Sequence, residues 1–241
     1  MTENSTVEPS PLTAKDIGRE ILILAAVFSV LTALFSFVIY PMFGRTGAAP
    51  MPLRTVILVV VIYWLARARG ESFSSFGFSR PKRIWLALVL GLAFVAINLF
   101  ALSPAKEMIR DALSFPPADI SALTHIYGNL PAYIGWLVIT WVAAAFGEEL
   151  IFRGYLMNRF AALGGGSATA WAIAILGQAV LFGAGHLYAG VGSAITTSFG
   201  AIFTGIFFFV AGRNLWALII AHGIWDSLGI TLIYLNGTPS T

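Results

Sequence analysis

Seven apolar runs of 16 to 23 residues follow one another along this 241-residue chain, at 21–43, 51–66, 84–103, 132–152, 169–188, 193–211 and 215–235. At 1.5 Å rise per residue, about 20 such residues cross the hydrocarbon core of a bilayer. Backbone amides in lipid must be satisfied within their own segment, so the runs are expected to be helices. Only 10% of residues are charged, against roughly 25% in a soluble domain. Most of the surface must therefore face lipid. The expected fold is all-α, a polytopic helical membrane protein with seven or eight transmembrane helices.

The run at 51–66 is the weakest, because Arg54 shortens it and must snorkel or lie at the interface. Trp64, Trp85 and Tyr234 fall near span ends, where amphipathic rings prefer to sit. Residues 67–83 form the most basic connector. Residues 104–131 form the longest one, in which Lys106, Glu107, Arg110 and Asp111 suggest a short amphipathic helix before Pro116, Pro117 and Pro131. The organisation read from this pattern is a cytoplasmic tail over 1–20, N-terminal helices and connectors over 21–129, a transmembrane core over 130–235 and a short tail over 236–241. The apolar run after Arg19 is too long for a cleavable signal segment and reads as a retained anchor.

Orientation follows from alternate connectors. Lys15, Arg19, Arg67, Arg69, Arg80, Lys82, Arg83, Arg153, Arg159 and Arg213 fall on one side, and Arg45, Arg54, Lys106 and Arg110 on the other. The richer side is expected to be cytoplasmic, together with the N-terminus, in a multi-pass protein of the plasma membrane. The basic residues sit between spans, so they give no support to nucleic acid binding. Cysteine is absent, which excludes disulfides, thiolate metal sites and a cysteine nucleophile.

Ionisable side chains inside spans cost on the order of 2.5–3.5 kcal/mol each even on the insertion scale, and they usually mark function. Here they gather in the last four runs: Glu148, Glu149 and Arg153, then His186, then His222 with Asp226. Glu149 and Arg153 stand at i, i+4 with the acid first, the arrangement that joins them on a helix. Glu148 points about 100° away around the helix and is left free for chemistry. His222 and Asp226 are again i, i+4, so the carboxylate can orient the imidazole. Phe182 lies four residues before His186 and can stack beneath it. About the Gly164–Ser167 turn, Glu148 and His186 are equidistant, so an antiparallel hairpin brings them level. His222 lies too near its own turn to align, unless the hairpin helices are tilted or over-long.

Taken singly, these residues have plain readings. Glu149 and Arg153 could be a structural pair, and either histidine a helix–helix hydrogen bond. His125, in the long connector, is assigned no role. The glycines around Gly183 and Gly185 suggest close helix packing, and the run at 206–210 a lipid-facing surface. The joint pattern is harder to explain by packing.

Three motifs in order resemble the CAAX protease and bacteriocin-processing family, also called the Abi family, which includes the Ras-converting CAAX endopeptidases. They are Glu148-Glu149-Leu-Ile-Phe-Arg153, Phe182-Gly-Ala-Gly-His186 and His222-Gly-Ile-Trp-Asp226. The resemblance covers about residues 130–230, and the FGFSRPKRIW segment at 76–85 resembles a stretch that precedes the core in bacterial members. It implies an intramembrane endopeptidase in which Glu148 and His186 activate a water, while His222 and residue 226 polarise the scissile carbonyl. Glu149 and Arg153 complete the implied catalytic set. The endopeptidases usually carry asparagine where this chain has Asp226, and a carboxylate is a poorer oxyanion donor unless protonated.

No cofactor is expected to be required. The alternative is a zinc site made by Glu148, His186 and His222. No H-E-x-x-H, G-x-S-x-G or paired G-x-G-D motif is present. The expected partners are the lipid bilayer and a peptide or membrane-protein substrate, of CAAX type or a peptide precursor. The rival readings are a non-proteolytic scaffold or immunity factor with the same fold, and a small transporter, which the missing internal repeat disfavours.

Overall fold

The computed structural model describes residues 13–39, 42 and 50–238. The tail residues 1–12 and 239–241, and Arg45 from the charge count, lie outside the described residues. Among those described, every regular element is helical.

Five helices are long and apolar enough to cross a membrane by length and composition: α1 (Ala14–Ile39), α3 (Ile84–Ala112), α4 (Leu130–Leu163), α6 (Val191–Val210) and α7 (Trp216–Asn236). Two shorter helices pack among them, α2 (Pro50–Arg67) and α5 (Ala168–Ala184). The polytopic all-α reading stands. The two shorter helices correspond to the run broken by Arg54 and to a run that ends early at a pair of glycines.

Local chemistry sets the helix starts. Thr13 caps α1 in a reciprocal box with Asp16. Asn129 caps α4, with Pro131 in the first turn. Ser167 caps α5 after Gly165 and Gly166, whose positive φ angles make the tight turn from α4.

α3 departs from the expected pattern. The short amphipathic helix expected around Lys106 is present over Ser103–Ala112, but it follows the apolar run directly, so that the two form one continuous helix to Ala112. Residues past 112 then run over the end of the bundle. Asp119 N–H donates to Ala189 O at 3.0 Å, and Gly128 N–H donates to Tyr234 O at 3.0 Å.

The core lies where α4 and α7 meet α2 and α3. Ile62, Leu150, Tyr155, Met157, Leu215 and Leu218 are completely or almost completely enclosed there. The connector before α3 contributes Phe76, which is buried against Tyr155 with ring centroids 5.0 Å apart. Gly77 O accepts from Leu215 N–H at 2.9 Å, tying that connector to the start of α7. At Gly183 an added Cβ would strike Ser198 and the backbone of Ala194, so α5 and α6 touch there as the sequence suggested.

The run at 206–210 is only half lipid-facing. Ile206 and Val210 are exposed, whereas Phe207 and Phe208 are buried, and Phe207 stacks on Phe94 at 4.3 Å. A helix face cannot keep five consecutive side chains on one side, so the two middle rings turn inward.

A buried ionic cluster joins α1, the basic connector and α4. Glu20 accepts from Tyr155 at 2.6 Å and from Arg159 Nε at 2.8 Å. It also pairs with Arg69, and Arg159 reaches on to Glu71. Arg159 therefore acts as a buried clamp rather than a free loop charge. Arg69 sits outside the spans. Burial opposes its charge, but its bonds to Glu20 and Asp16 prevail and raise its pKa further above the usual arginine value.

Candidate active site

One large cavity, about 1220 Å³, opens inside the bundle. Glu148, Glu149, Arg153, His186, His222 and Asp226 all line it, with Phe182 beside them. Its volume exceeds the roughly 300–1,000 Å³ typical of small-molecule pockets.

The acids come from the middle of α4. From Thr140 to Leu156 the main chain of α4 widens to i→i+5 pairing, a distortion concentrated at functional positions in other helices. Helix α4 spans 34 residues. His222 nevertheless lines the same cavity as Glu148 and His186. Close contact with α7 fixes the register, because an added Cβ at Gly223 would lie 2.6 Å from the Trp141 ring.

The internal wiring centres on Glu149. Its Oε1 accepts from Arg153 Nη1 at 3.2 Å and faces His222 Nδ1 at 2.9 Å. Glu149 and Arg153 are each 1% exposed, so the pair is sealed from water. The Arg153 guanidinium also lies over the Phe182 ring, 4.3 Å from its centroid. On its other side, His222 Nε2 faces Asp226 Oδ2 at 3.3 Å.

Glu148 differs. It is 8% exposed, and among the described residues its carboxylate takes part in no hydrogen bond or ion pair. It borders the cavity with both oxygens uncommitted. Arg153 therefore secures Glu149 and leaves Glu148 open, the arrangement expected from the spacing alone. What the spacing missed is the long-range bond from Glu149 to His222.

His186 sits just past the end of α5, not inside it. The helix stops at Ala184, and His186 occupies the turn before Leu187–Ala189. Its Nδ1 lies 2.8 Å from Phe182 O. A carbonyl oxygen can only accept, so Nδ1 carries the proton, and Nε2 of the neutral ring is left as an acceptor. The rings of Phe182 and His186 are 4.9 Å apart, as the i, i+4 spacing suggested.

Glu148, His186 and His222 do not make a zinc ligand set in this arrangement. Both nitrogens of His222 face carboxylate oxygens, so neither presents a lone pair to a shared ion. Among the described residues, no three His, Asp or Glu side chains gather closely enough to hold a metal ion.

Two cations assigned to the outer side by sequence also line the cavity. Arg54 is half-buried, with its guanidinium 4.6 Å from the Phe28 ring centroid. Lys106 projects from the extended part of α3. A faint signal for Lys106 was present, since it shares a helical face with Leu102 and Ile109, the first of which is buried. His125 lines the cavity edge and accepts from Trp136 Nε1 at 3.0 Å.

Residues 130–228 match the family described as type II CAAX prenyl endopeptidase, Rce1-like. The match runs from the first turn of α4 into α7 and contains all six of the residues singled out above. No curated protein and no solved structure matches the chain.

Proposed function

We propose that this chain, a member of the CAAX protease family over residues 130–228, is a multi-pass intramembrane endopeptidase that hydrolyses a peptide bond with a water activated by Glu148 and His186. The observation that carries this reading is the convergence of Glu148, Glu149, Arg153, His186, His222 and Asp226 on one cavity from three separate parts of the chain.

In this reading, one hydrogen of the water faces the Glu148 carboxylate and the other faces His186 Nε2. As the water oxygen bonds to the scissile carbonyl carbon, Glu148 takes its proton. The carbonyl π-electrons move onto oxygen, and the oxyanion accepts from His222 Nε2–H, which faces Asp226 when no substrate is bound. Glu149 holds the opposite nitrogen, Nδ1, and so aims the ring. The oxyanion electrons then re-form the C=O bond as the C–N bond breaks, and Glu148 returns the proton to the leaving nitrogen. Two peptides result, one with a new amine and one with a new carboxyl group, which becomes a carboxylate as its remaining proton passes to His186 Nε2. No metal takes part in this route.

The substrate is a membrane-borne peptide segment, with a prenylated CAAX-type C-terminus as the leading class and peptide precursors as the second. The cavity suits a lipidated peptide, because Phe35, Phe94, Leu99, Leu218 and Trp225 supply apolar wall beside the polar centre. We place the enzyme in the plasma membrane with its N-terminus in the cytoplasm, on the strength of the basic 67–83 connector.

Comparative sequencing of peptide termini tests the proposal, in cells expressing either the wild-type protein or Glu148→Gln. Expected are new termini that depend on the intact carboxylate. Identical sets of termini in the two strains, with both proteins folded and equally abundant, would defeat the peptidase reading in favour of a scaffold.

A further inference from the structure

A lysine inside a membrane-embedded cavity stays charged only where something repays its lost water. Lys106 is such a residue. It reaches the cavity from the last turns of α3, which pack against α6. Its Nζ rests at Gly200 of α6, where an added Cβ would lie 2.8 Å from the nitrogen and 2.9 Å from Cε. Glycine at this position makes the room that the ammonium occupies.

Among the described residues Lys106 makes no ion pair and no hydrogen bond. Asp226 is the charge whose field reaches it, yet the Asp226 carboxylate is already engaged with His222. The ammonium of this half-buried side chain thus has three N–H donors and no protein acceptor among the described residues. Along α6 the same wall presents Ser193, Thr197 and Thr204, with Gly200 between them, a polar stripe at helical spacing. Glu148 stands on α4 and His222 on α7, so this cationic wall comes from other helices of the same cavity.

From this we infer that Lys106 is a specificity residue whose ammonium binds a carboxylate of the peptide substrate, against the α3/α6 wall. The inference rests on the peptidase reading of the same cavity and names the chemical group that the far end of the substrate must offer. A peptide cut near its end supplies such a group as its own terminal carboxylate. An acidic side chain close to the cut supplies the same chemistry from another source.

Binding, measured apart from cleavage, tests this. The probe is a fluorescent peptide with a farnesylated cysteine followed by three aliphatic residues, made as the free acid and as the C-terminal amide. A third version is an amide whose last residue is aspartate. Each is titrated against full-length Glu148→Gln protein in nanodiscs. The free acid is expected to bind about tenfold more tightly than the plain amide, the scale of one charge-assisted contact. Adding Lys106→Gln should bring that ratio close to one, and Lys106→Arg should restore most of it. Gly200→Ala, which crowds the ammonium without removing charge, should shrink the ratio too and serves if the lysine variant does not fold. Tight binding of the aspartate amide would assign the carboxylate to a side chain rather than to the terminus.

Equal affinity for acid and plain amide, a ratio unaffected by Lys106→Gln, or no binding of any peptide would each overturn the inference. If the acid is preferred but wild-type protein cuts no peptide, the peptidase reading falls and the carboxylate site stands. If both forms are cut and bound alike, the carboxylate site falls alone.

Discussion

Glu149 Oε1 lies 2.9 Å from His222 Nδ1 and 3.2 Å from Arg153 Nη1, so one buried oxygen links two motifs 73 residues apart in sequence. Removing one partner of a buried ion pair strands the other, which costs about 3–5 kcal/mol. Glu149→Ala should therefore lower the thermal midpoint markedly and abolish activity, because it frees His222 as well as Arg153. Adding Arg153→Met to Glu149→Ala should recover part of the lost stability. A double-mutant cycle by thermal unfolding in detergent checks this, and strict additivity of the two losses would show that the pair is not coupled.

The neighbouring acid should behave in the opposite way. Glu148 gives up no hydrogen bond when it is replaced, so Glu148→Gln should shift the midpoint little. If Glu148 is the general base, peptide cleavage should fall by about 10²–10⁴-fold. Measuring both variants side by side separates a chemical role from a structural one. A cleavage defect in Glu148→Gln that scales with lost folded protein would argue against the base.

These contrasts mark how far the sequence could be read. Apolar runs alone gave the helical class and the approximate spans, because lipid leaves the backbone no alternative. The i, i+4 pairs Glu149/Arg153 and His222/Asp226 were legible because helix geometry is local. The bond from Glu149 to His222 was not, since no spacing rule connects residues on different helices. The amphipathic helix read from Lys106, Glu107, Arg110 and Asp111 is present over Ser103–Ala112, but the place of Lys106 on the cavity was not legible for a related reason, since it depends on how that helix meets α6 at Gly200. Arg159 and Glu20 were passed over as ordinary flank charges, although they are buried against each other from distant parts of the chain.

The Glu20 cluster gives a prediction about stability without chemistry. Glu20 accepts from Tyr155 and Arg159 and pairs with Arg69, and none of these residues lines the cavity. Glu20→Ala leaves Arg159 partly uncompensated, with an expected loss of about 3 kcal/mol or more. The fraction that remains folded should keep its turnover per molecule. The check is activity normalised to folded protein by size-exclusion chromatography. A fall in normalised turnover as large as that of Glu148→Gln would place this cluster in the reaction path.

Asp226 offers a sharper test of how His222 is used. Its Oδ2 stands 3.3 Å from His222 Nε2, so the side chain holds the donor that the oxyanion needs. An amide keeps an acceptor for His222 and adds an N–H₂ donor that the carboxylate lacks. Asp226→Asn is therefore expected to retain cleavage or to raise it by a few-fold. Asp226→Ala should lose about tenfold or more, in the range seen when one preorganised partner of a developing oxyanion is removed. Initial rates on a quenched peptide in liposomes decide the matter. If the asparagine variant is as inactive as the alanine variant, the negative charge itself is required, and Asp226 serves to hold a positively charged His222.

Metal dependence can be settled by chelation. Both nitrogens of His222 face carboxylates, and a first-row metal needs a free imidazole lone pair from each histidine ligand. With His222 engaged in this way, Glu148 and His186 alone cannot complete a catalytic zinc site. Purified protein should retain its cleavage rate after exhaustive dialysis against EDTA and 1,10-phenanthroline, with less than about one-tenth equivalent of zinc remaining by elemental analysis. Activity lost on chelation and restored by one equivalent of zinc would mean that His222 turns away from Glu149 or Asp226 to bind the ion. Glu149→Gln, which loosens that hold, should then bind zinc more tightly than the wild type. If no metal is used, Glu149→Gln should lose activity and gain no affinity for zinc.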